Sequence, residues 1–330
     1  MTLIAPLVTG FLRDRLGVER RASLHTCDTY AYAVQLLLEF AAERLRVRPS
    51  ALQFEHIDAP LVLVFLKHLQ KERKNSPRTC NARLAAIKSF MKYAEHRMPV
   101  ALEQIRQVLA IPIQRTDSRL PRHLDSAQTK ALLDAPDARV TDGLRDRAML
   151  YLALTGGLRV SELVGLRMDD LSFRDRYIDL RIRGKGQKER VLTLWREVAD
   201  AVRAWLAVRG ECSAPEVFLN ARGKAMTRSG FEYILRRHVK TASKTCPALA
   251  KKKVSPHTLR HTCALNTLHA THDIRKVSLW LGHASTQTTE IYLQADPAER
   301  LEVLEAMTPP ILKRGKFSPP DKLIASLRQP

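Results

Sequence analysis

Four short segments between residues 155 and 292 hold side chains that could take part in chemistry. These segments contribute Arg159, Glu162, Lys185, His257, Arg260, His283 and Tyr292, in that order. Arginine guanidinium groups bind oxyanions in a fork, histidine and lysine can transfer protons, and a tyrosine phenol can act as a nucleophile. Together these residue types suit nucleophilic substitution at an anionic centre such as a phosphodiester.

Each segment taken alone also has an ordinary structural explanation. Arg159 and Glu162 have the i,i+3 spacing of an ion pair on a helix. Lys185 stands in a Gly-Lys-Gly turn, where lysine commonly serves solubility, and Gly282 could end a helix as a C-cap. Tyr292 falls in a helical pattern, where a tyrosine usually belongs to the core or its rim. The functional prediction therefore depends on all the segments occurring together.

A metal site is not predicted. His257 and His261 have the i,i+4 spacing that can bind zinc, but the glutamate of that zinc motif and a third ligand are missing. The five cysteines are scattered without a C-x-x-C pair, which favours reduced thiols in a cytoplasmic protein. We expect no metal, and we expect His261 to be a packed or capping histidine.

The balance of charge points to a polyanionic partner. The 330 residues include 55 Lys and Arg against 34 Asp and Glu, a net charge of +21, and both residues 1–120 and the remainder carry an excess of cations. Such an excess favours nucleic acid, ahead of an anionic membrane surface. The apolar runs are far shorter than the roughly 20 residues of a membrane-spanning helix, and no export signal is recognisable.

The first third of the chain predicts helices only. Apolar residues recur at steps of three and four within residues 30–45 and 61–69, and a third helix follows the Ser-Pro pair at 76–77. Basic residues lie on and beside this third helix, and they would contact phosphates: Arg78, Arg83, Lys88 and Lys92. A solvated helix face is the ordinary alternative for the same residues.

Residues 113–121 predict a linker, because they combine proline and polar residues without any periodicity. This places a helical domain at 1–112 and a second domain at 122–308, with a proline-rich, basic tail at 309–330.

The second domain is predicted to be mainly helical around one β-hairpin. Two β-type runs, at 177–182 and 191–194, flank the Gly-Lys-Gly turn and place Lys185 at the hairpin tip. Helical patterns resume at Val198 and continue to the neighbourhood of Ala306.

Taken together, the segments resemble the tyrosine recombinase, or phage integrase, family. The box at 155–163, the Gly-Lys-Gly hairpin, His-Thr-Leu-Arg-His, Leu-Gly-His and the late tyrosine follow the family order at family-like spacing. The box departs slightly, with two glycines before Leu-Arg. The resemblance covers essentially the whole chain and implies a mainly α fold. It implies a helical, SAM-like core-binding domain followed by an α+β catalytic domain with a small antiparallel sheet.

The resemblance implies a site-specific DNA recombinase that cleaves and rejoins duplex DNA through a covalent 3′-phosphotyrosyl intermediate, with no cofactor. Tyr292 would be the nucleophile, His257 would take its proton, and Lys185 would protonate the leaving 5′ oxygen. The partners would be double-stranded DNA and further protomers, as a tetramer on DNA or with sister recombinases.

Four other residues would stabilise the reacting phosphate or its surroundings. Arg159 and Arg260 would clamp the non-bridging oxygens, and His283 would donate a further hydrogen bond. Glu162 would orient Arg159 or His257 rather than contact DNA.

The biological setting and two rival activities stay open at this point. The N-terminal sequence and the tail favour an enzyme of a transposon, plasmid or phage-like element, with Xer-type dimer resolution as the alternative. A type IB topoisomerase is disfavoured by the compact helical first domain. A DNA-binding regulator without catalysis is disfavoured because all six catalytic positions are occupied by suitable residues.

Overall fold

A computed structural model describes residues 2–19, 22, 24–116, 121–184, 189–210, 213–282, 289 and 291–292. Lys185, His283 and the predicted tail at 309–330 lie outside the described residues. The chain divides into two compact units, Met1–Ser118 and Arg119–Pro330. The finer limits given above for the domains and linker stay a prediction.

The first unit consists of helices and connecting turns, with no strand among its described residues. Its main elements are α1 (Ile4–Gly10), a π-helical segment (Phe11–Glu19), α2 (Leu24–Leu45), α3 (Ala59–Lys71), α4 (Pro77–Ala94) and α5 (Leu102–Ala110). The helical prediction for the first third of the chain is thereby confirmed.

Local sequence signals explain where two of these helices begin. The side chain of Asp58 accepts a hydrogen bond from the Leu61 N–H at the start of α3, and Ser76 does the same for Thr79 at the start of α4. Each helix also has a proline in its first turn. The unit's core contains four phenylalanines that are almost fully buried: Phe11, Phe54, Phe65 and Phe90.

The second unit combines seven α-helices and two short 3-10 helices with a small sheet in its described residues. The helices are α6 (Ser126–Leu133), α7 (Thr141–Thr155), α8 (Val160–Val164), α9 (Arg196–Arg209), α10 (Arg228–Ala242), α11 (Pro256–Thr271) and α12 (Ile274–Leu281). The strands are β1 (Leu171–Phe173), β2 (Ile178–Arg183) and β3 (Glu189–Leu194). This bears out the mainly α fold with a small antiparallel sheet.

The strands form one antiparallel sheet in the order β1-β2-β3. The β2 and β3 strands pair from Ile178 with Leu194 to Arg183 with Glu189, which confirms the predicted hairpin strands. The hairpin tip lies outside the described residues. Strand β1 was not predicted, because three residues are too short to show an alternating pattern.

The prediction of helix throughout residues 198–306 is wrong between α9 and α10. The described residues 213–227 form no helix there, and isolated β-bridges join Arg167 to Glu216 and Leu219 to Ala225. The reason is that a short apolar run, here Val217 and its two successors, does not distinguish a buried strand from a helix.

Helix α7 is the centre of the second unit and fixes the segment that follows it. Ala148, Met149, Leu150 and Leu152 are all fully buried, whereas Arg147 and Tyr151 are half-buried, so this part of the helix is packed over most of its surface. Its last turn leads directly into the box that carries Arg159. None of the described helices is long and apolar enough to cross a membrane.

Candidate active site

Glu162 lies buried in α8 and binds two arginines at once. Its Oε1 accepts hydrogen bonds from Arg159 Nη1 at 2.7 Å and Arg190 Nη1 at 3.2 Å. Its Oε2 accepts from the Arg159 backbone N–H at 2.9 Å and from Arg190 Nη2 at 3.0 Å. The reach of Glu162 back to the N-cap N–H is the geometry of a capping box. The structure therefore places Glu162 on Arg159, and no hydrogen bond joins it to His257 among the described residues.

The two arginines keep Glu162 ionised despite its burial. Burial alone would raise the pKa of this carboxyl group, but the hydrogen bonds and charge of Arg190 and the hydrogen bonds of Arg159 outweigh it. The pKa of Glu162 consequently lies below its usual value. One negative charge is thus shared between two guanidinium groups.

Arg260 is the second arginine of the predicted clamp, and α11 holds it nearly buried. Ser255 caps the start of that helix, with Pro256 in the first turn. Arg260 donates from Nη1 to the Gly157 carbonyl at 2.5 Å and from Nη2 to the Leu281 carbonyl at 2.7 Å. Burial, followed by the charge of Arg159, lowers the pKa of Arg260 to about 10, so its guanidinium stays charged at neutral pH.

Arg159 and Arg260 both bind the C-terminal end of α12. Arg159 Nη2 donates to the Gly282 carbonyl at 3.3 Å, beside the Arg260 contact to Leu281. Unpaired carbonyl groups at a helix C-terminus carry partial negative charge, which favours cations there. The two arginines are therefore gathered at the residue that precedes His283 in the sequence.

Two glycines allow this close approach. Gly157 has a φ of +58°, and a Cβ atom there would lie 2.6 Å from Leu281 Cδ2. Gly282 has a φ of +63°, and its Cβ would lie 2.7 Å from Arg190 Nη1. Both conformations are left-handed, which favours glycine. Backbone conformation and lack of space thus explain why glycine occupies the second glycine position of the box and the middle position of Leu-Gly-His.

A positively charged cleft of about 380 Å³ opens at the clamp. It is lined by Arg159, Arg260 and the exposed His257. Three further cations and one carboxylate also line it: Arg228, Arg236, Lys253 and Glu232. Because cations predominate, the cleft suits a bound anion.

Tyr292 is buried beside this region and shares a hydrogen bond with His261. The Tyr292 hydroxyl oxygen and His261 Nδ1 are 2.8 Å apart, and Tyr292 is only 2% exposed. Burial raises the pKa of Tyr292 to about 12. Burial, then the charges of His257 and Arg260, lowers the pKa of His261 to about 4. Both groups are thus neutral at pH 7, and a single hydrogen bond joins the phenol to the imidazole.

His261 packs against the Tyr292 ring, at 5.6 Å between centroids, as a packed histidine would, and the sequence did not indicate its hydrogen bond to the tyrosine. His257, the predicted proton acceptor, lies one turn earlier on α11. Its ring centroid is 6.5 Å from that of His261, and it has no hydrogen bond to Tyr292 among the described residues. The predicted nucleophile is therefore held by a different histidine from the one that the sequence indicated.

Sequence reasoning missed Arg190 as well as His261. Arg190 lies on the same face of β3 as the buried Leu192 and Leu194. That alternation was a usable signal, because a buried arginine requires an acidic partner. No comparable signal existed for His261, whose partner comes from 31 positions further along the chain.

The four predicted DNA-contacting residues of the first unit all lie on α4. Arg78 and Lys92 are exposed, and Lys88 is half-buried. Arg83 instead stacks on Tyr32, with its Cζ 4.7 Å from the ring centroid. Within the residues that the structure describes, no group of three or more His, Cys, Asp or Glu side chains could hold a metal ion.

Two protein families match the two parts of the chain. The phage integrase family matches residues 122–299, and the phage integrase N-terminal SAM-like domain matches residues 8–98. The protein named "Putative integrase/recombinase y4rC" from Sinorhizobium fredii is 41% identical over 98% of this chain and 97% of its own length. The tyrosine recombinase XerC of Pelotomaculum thermopropionicum is 34% identical over 87% of this chain and 92% of its own length.

Solved structures share the fold at lower sequence identity. XerH site-specific recombinase bound to palindromic difH substrate has a TM-score of 0.68 and 23% identity, over 87% of this chain and 81% of that one. The Tn1549 transposon integrase in complex with transposon right end DNA has a TM-score of 0.67 and 20% identity, over 93% and 99%. The chain belongs to the phage integrase family of site-specific tyrosine recombinases.

Proposed function

We propose that this recombinase cleaves and rejoins duplex DNA with Tyr292 as its nucleophile and with Arg159 and Arg260 as its phosphate clamp. The observation that carries the proposal is a surplus of positive charge. Arg159, Arg190 and Arg260 surround a single carboxylate, Glu162. A phosphodiester supplies an anion for this surplus, and its transition state carries more negative charge than its ground state, so fixed cations accelerate the reaction.

The reaction balances without water or metal. The Tyr292 oxygen bonds to phosphorus, the bond from phosphorus to the 5′ oxygen breaks, and the product is a 3′-phosphotyrosyl linkage with a free 5′ hydroxyl. His257 takes the phenolic proton, since it is exposed in the cleft with Arg159 and Arg260. Attack by a 5′ hydroxyl reverses these steps and rejoins the strand.

Two roles in this scheme rest on family resemblance and sequence position. Lys185 protonates the leaving 5′ oxygen, and His283 donates a hydrogen bond to the phosphate. Support for His283 comes from its neighbour Gly282, whose carbonyl binds Arg159.

Cleavage requires Tyr292 to leave His261. A side chain that is 2% exposed cannot reach DNA, and a phenol with a pKa near 12 is a weak nucleophile. Binding of DNA would therefore have to expose the tyrosine and bring it to the clamp.

Duplex DNA is the proposed partner. The net charge of +21 and the cationic cleft support it, as do the DNA-bound XerH and Tn1549 integrase structures. Arg78, Arg83, Lys88 and Lys92 would contact the DNA backbone, although the stacking of Arg83 on Tyr32 gives that residue a structural role too. Four protomers on DNA, or protomers with sister recombinases, would complete the assembly.

The proposed setting is a transposon, plasmid or phage-like element. The Sinorhizobium relative named as an integrase/recombinase supports it, being more similar than the Xer proteins. Xer-type dimer resolution is the second candidate, because XerC proteins match at 34% identity over most of the chain.

A nicked suicide duplex tests the chemistry. Duplexes that carry the sequences flanking the gene are incubated with the protein in EDTA, and covalent adducts are resolved on denaturing gels. We expect an adduct with wild type, none with Tyr292→Phe, and a normal amount with Tyr177→Phe, which alters an exposed tyrosine of the same unit.

Two results would overturn the proposal. If Tyr292→Phe forms adducts as readily as wild type, the nucleophile is wrong. If wild type forms no adduct on any flanking duplex, the chain is not a recombinase of those sites. Adducts on the host chromosome's dimer-resolution site alone would replace the mobile-element setting with the Xer-type one.

A further inference from the structure

We propose that Arg190 is a positioning residue, which holds Arg159 in its clamping geometry by way of Glu162. The proposal rests on the function proposed above and adds a residue to it. Arg190 stands at the start of β3, the strand that leads out of the hairpin, and both of its terminal nitrogens donate to the two oxygens of Glu162.

The geometry separates Arg190 from the clamp itself. The Arg190 side chain is 14% exposed, whereas that of Arg159 is 39% exposed. Both Arg190 Nη atoms are used on Glu162, and its Nε is buried with no hydrogen-bond partner among the described residues. Arg190 therefore has no free accessible edge for a phosphate, and its effect must pass through Glu162.

Glu162 is the residue through which Arg190 acts on Arg159. Each carboxylate oxygen accepts one hydrogen bond from Arg159 and one from Arg190. Without Arg190, this buried carboxylate would keep Arg159 as its only hydrogen-bonded arginine. Arg159 would then be drawn more strongly to Glu162, and less of its charge would be available to an anion in the cleft.

Steric packing adds a second restraint. Arg190 lies so close to Gly282 that a Cβ atom there would be 2.7 Å from Nη1 and 3.0 Å from Cδ. The Gly282 carbonyl in turn accepts from Arg159 Nη2. Arg190 thus fixes both groups that hold the Arg159 guanidinium, the carboxylate on one side and the carbonyl on the other.

A methylphosphonate substrate provides a measurement that a purely structural role would not affect. Replacing a non-bridging oxygen of the scissile phosphate by methyl removes its negative charge, so a defect in the clamp matters less there. The substrate carries this change at the cleavage position mapped with wild type on the natural duplex. Single-turnover cleavage is then compared on the two substrates.

We expect Arg190→Met to cleave the natural phosphodiester about 10²-fold more slowly, which is the scale of a misplaced catalytic group. Arg190→Lys should lie between wild type and Arg190→Met, because an ammonium keeps the charge but cannot pair with both carboxylate oxygens. On methylphosphonate, both variants should approach the wild-type rate. In an Arg159→Met background, Arg190→Met should cause little further loss.

Arg145→Met is the matched control, since it also removes a buried arginine from a buried carboxylate, Asp146. Its ratio of natural to methylphosphonate cleavage should equal that of wild type. The proposal is overturned if Arg190 variants are equally slow on both substrates, if their losses add to that of Arg159→Met, or if Arg190→Lys cleaves at the wild-type rate. Absence of any wild-type adduct would instead refute the proposed function itself.

Discussion

Two buried carboxylates in the second unit each bind a pair of arginines, yet the clusters around them differ in net charge. Asp146 accepts from Arg145 Nε and Nη2 at 3.0 and 2.8 Å and from Arg237 Nη2 at 2.5 Å. Arg145 also pairs with Asp142 at 3.0 Å. In this Asp146 cluster, two arginines balance two carboxylates.

The Glu162 cluster is not balanced. Arg159, Arg190 and Arg260 lie together with one carboxylate, which leaves two positive charges. The pKa values of the two carboxyl groups do not reveal this difference. Burial alone would raise each pKa. At Asp146 a hydrogen bond from His238, followed by the charge and hydrogen bonds of Arg145, outweighs burial. At Glu162 the contacts of Arg190 and Arg159 do so, and both pKa values lie below the usual range. The excess of cations, rather than the perturbed acid, marks the cluster that is suited to bind a phosphate.

The largest expected effect is on stability, at the balanced cluster. Asp146→Ala removes the buried carboxylate that Arg145 binds. Loss of one partner of a buried ion pair typically lowers the free energy of unfolding by about 3–5 kcal/mol. Urea unfolding should show that loss, while the adduct formed per folded molecule stays at the wild-type level. A large loss of cleavage in the folded fraction would mean that the Asp146 cluster also serves the reaction, and the comparison would fail.

The complementary change is Arg159→Met at the unbalanced cluster. Removing one fixed donor from a developing charge slows reactions by about 10²–10³-fold, so suicide-substrate cleavage should fall by that factor. The free energy of unfolding should change little, because Arg159 is partly exposed and Arg190 still pairs with Glu162. If Arg159→Met lowers the free energy of unfolding as much as Asp146→Ala does, the two clusters do not differ in the way proposed.

A third prediction concerns His261, whose low pKa reflects burial and the nearby charges of His257 and Arg260. Below pH 6.5 the unfolded chain protonates this imidazole, whereas the folded chain does so only near pH 4. Stability is therefore retained above pH 6.5 and is lost as the pH falls towards 4, by up to about 2–3 kcal/mol.

Denaturant unfolding of wild type and His261→Gln across this range measures that loss. The advantage of wild type over the variant should shrink steadily from pH 7 to pH 4.5. A difference that stays constant with pH would show that His261 is not held neutral beside Tyr292.

The smallest expected effect is the difference between substitutions at two glycines that both have a left-handed backbone conformation. Gly223 has a φ of +68°, and a Cβ atom there would meet nothing within 4 Å, whereas a Cβ atom at Gly282 would meet Arg190. Gly223→Ala should cost about 1 kcal/mol for the backbone conformation alone. Gly282→Ala should cost more in thermal unfolding and should also slow cleavage. Equal costs and unchanged cleavage would show that the Arg190–Gly282 contact restrains nothing.

The sequence predicted the parts of the fold whose signals are local. Alternation around a glycine turn predicted the β2–β3 hairpin, and the serine and proline at 76–77 predicted the start of α4. Strand β1 is too short for any pattern. The segment around Val217 was mistaken for helix, because a short apolar run fits either structure and the Arg167–Glu216 bridge joins distant parts of the chain.

Some residues of the candidate site could likewise be predicted from the sequence, and others could not. Residue types and order identified Arg159 and Arg260, and the structure brings both to the end of α12. The order of residues does not show which other side chains contact the site residues. Arg190 became visible only when the strand showed which face it occupies, and the His261–Tyr292 bond depends on a contact between distant parts of the chain.

The contacts of Arg260 link the ability to break DNA to the completion of folding. Its guanidinium is held by carbonyl groups of Gly157 and Leu281, which are far apart in the second unit's sequence. A nascent, truncated or misfolded chain in which either segment is missing or misplaced would not hold Arg260 in this position. Such a chain would still be a basic polypeptide that adheres to nucleic acid, but it would leave the genome uncut. If Arg260 is the clamp residue proposed above, cleavage activity therefore depends on complete folding of the second unit.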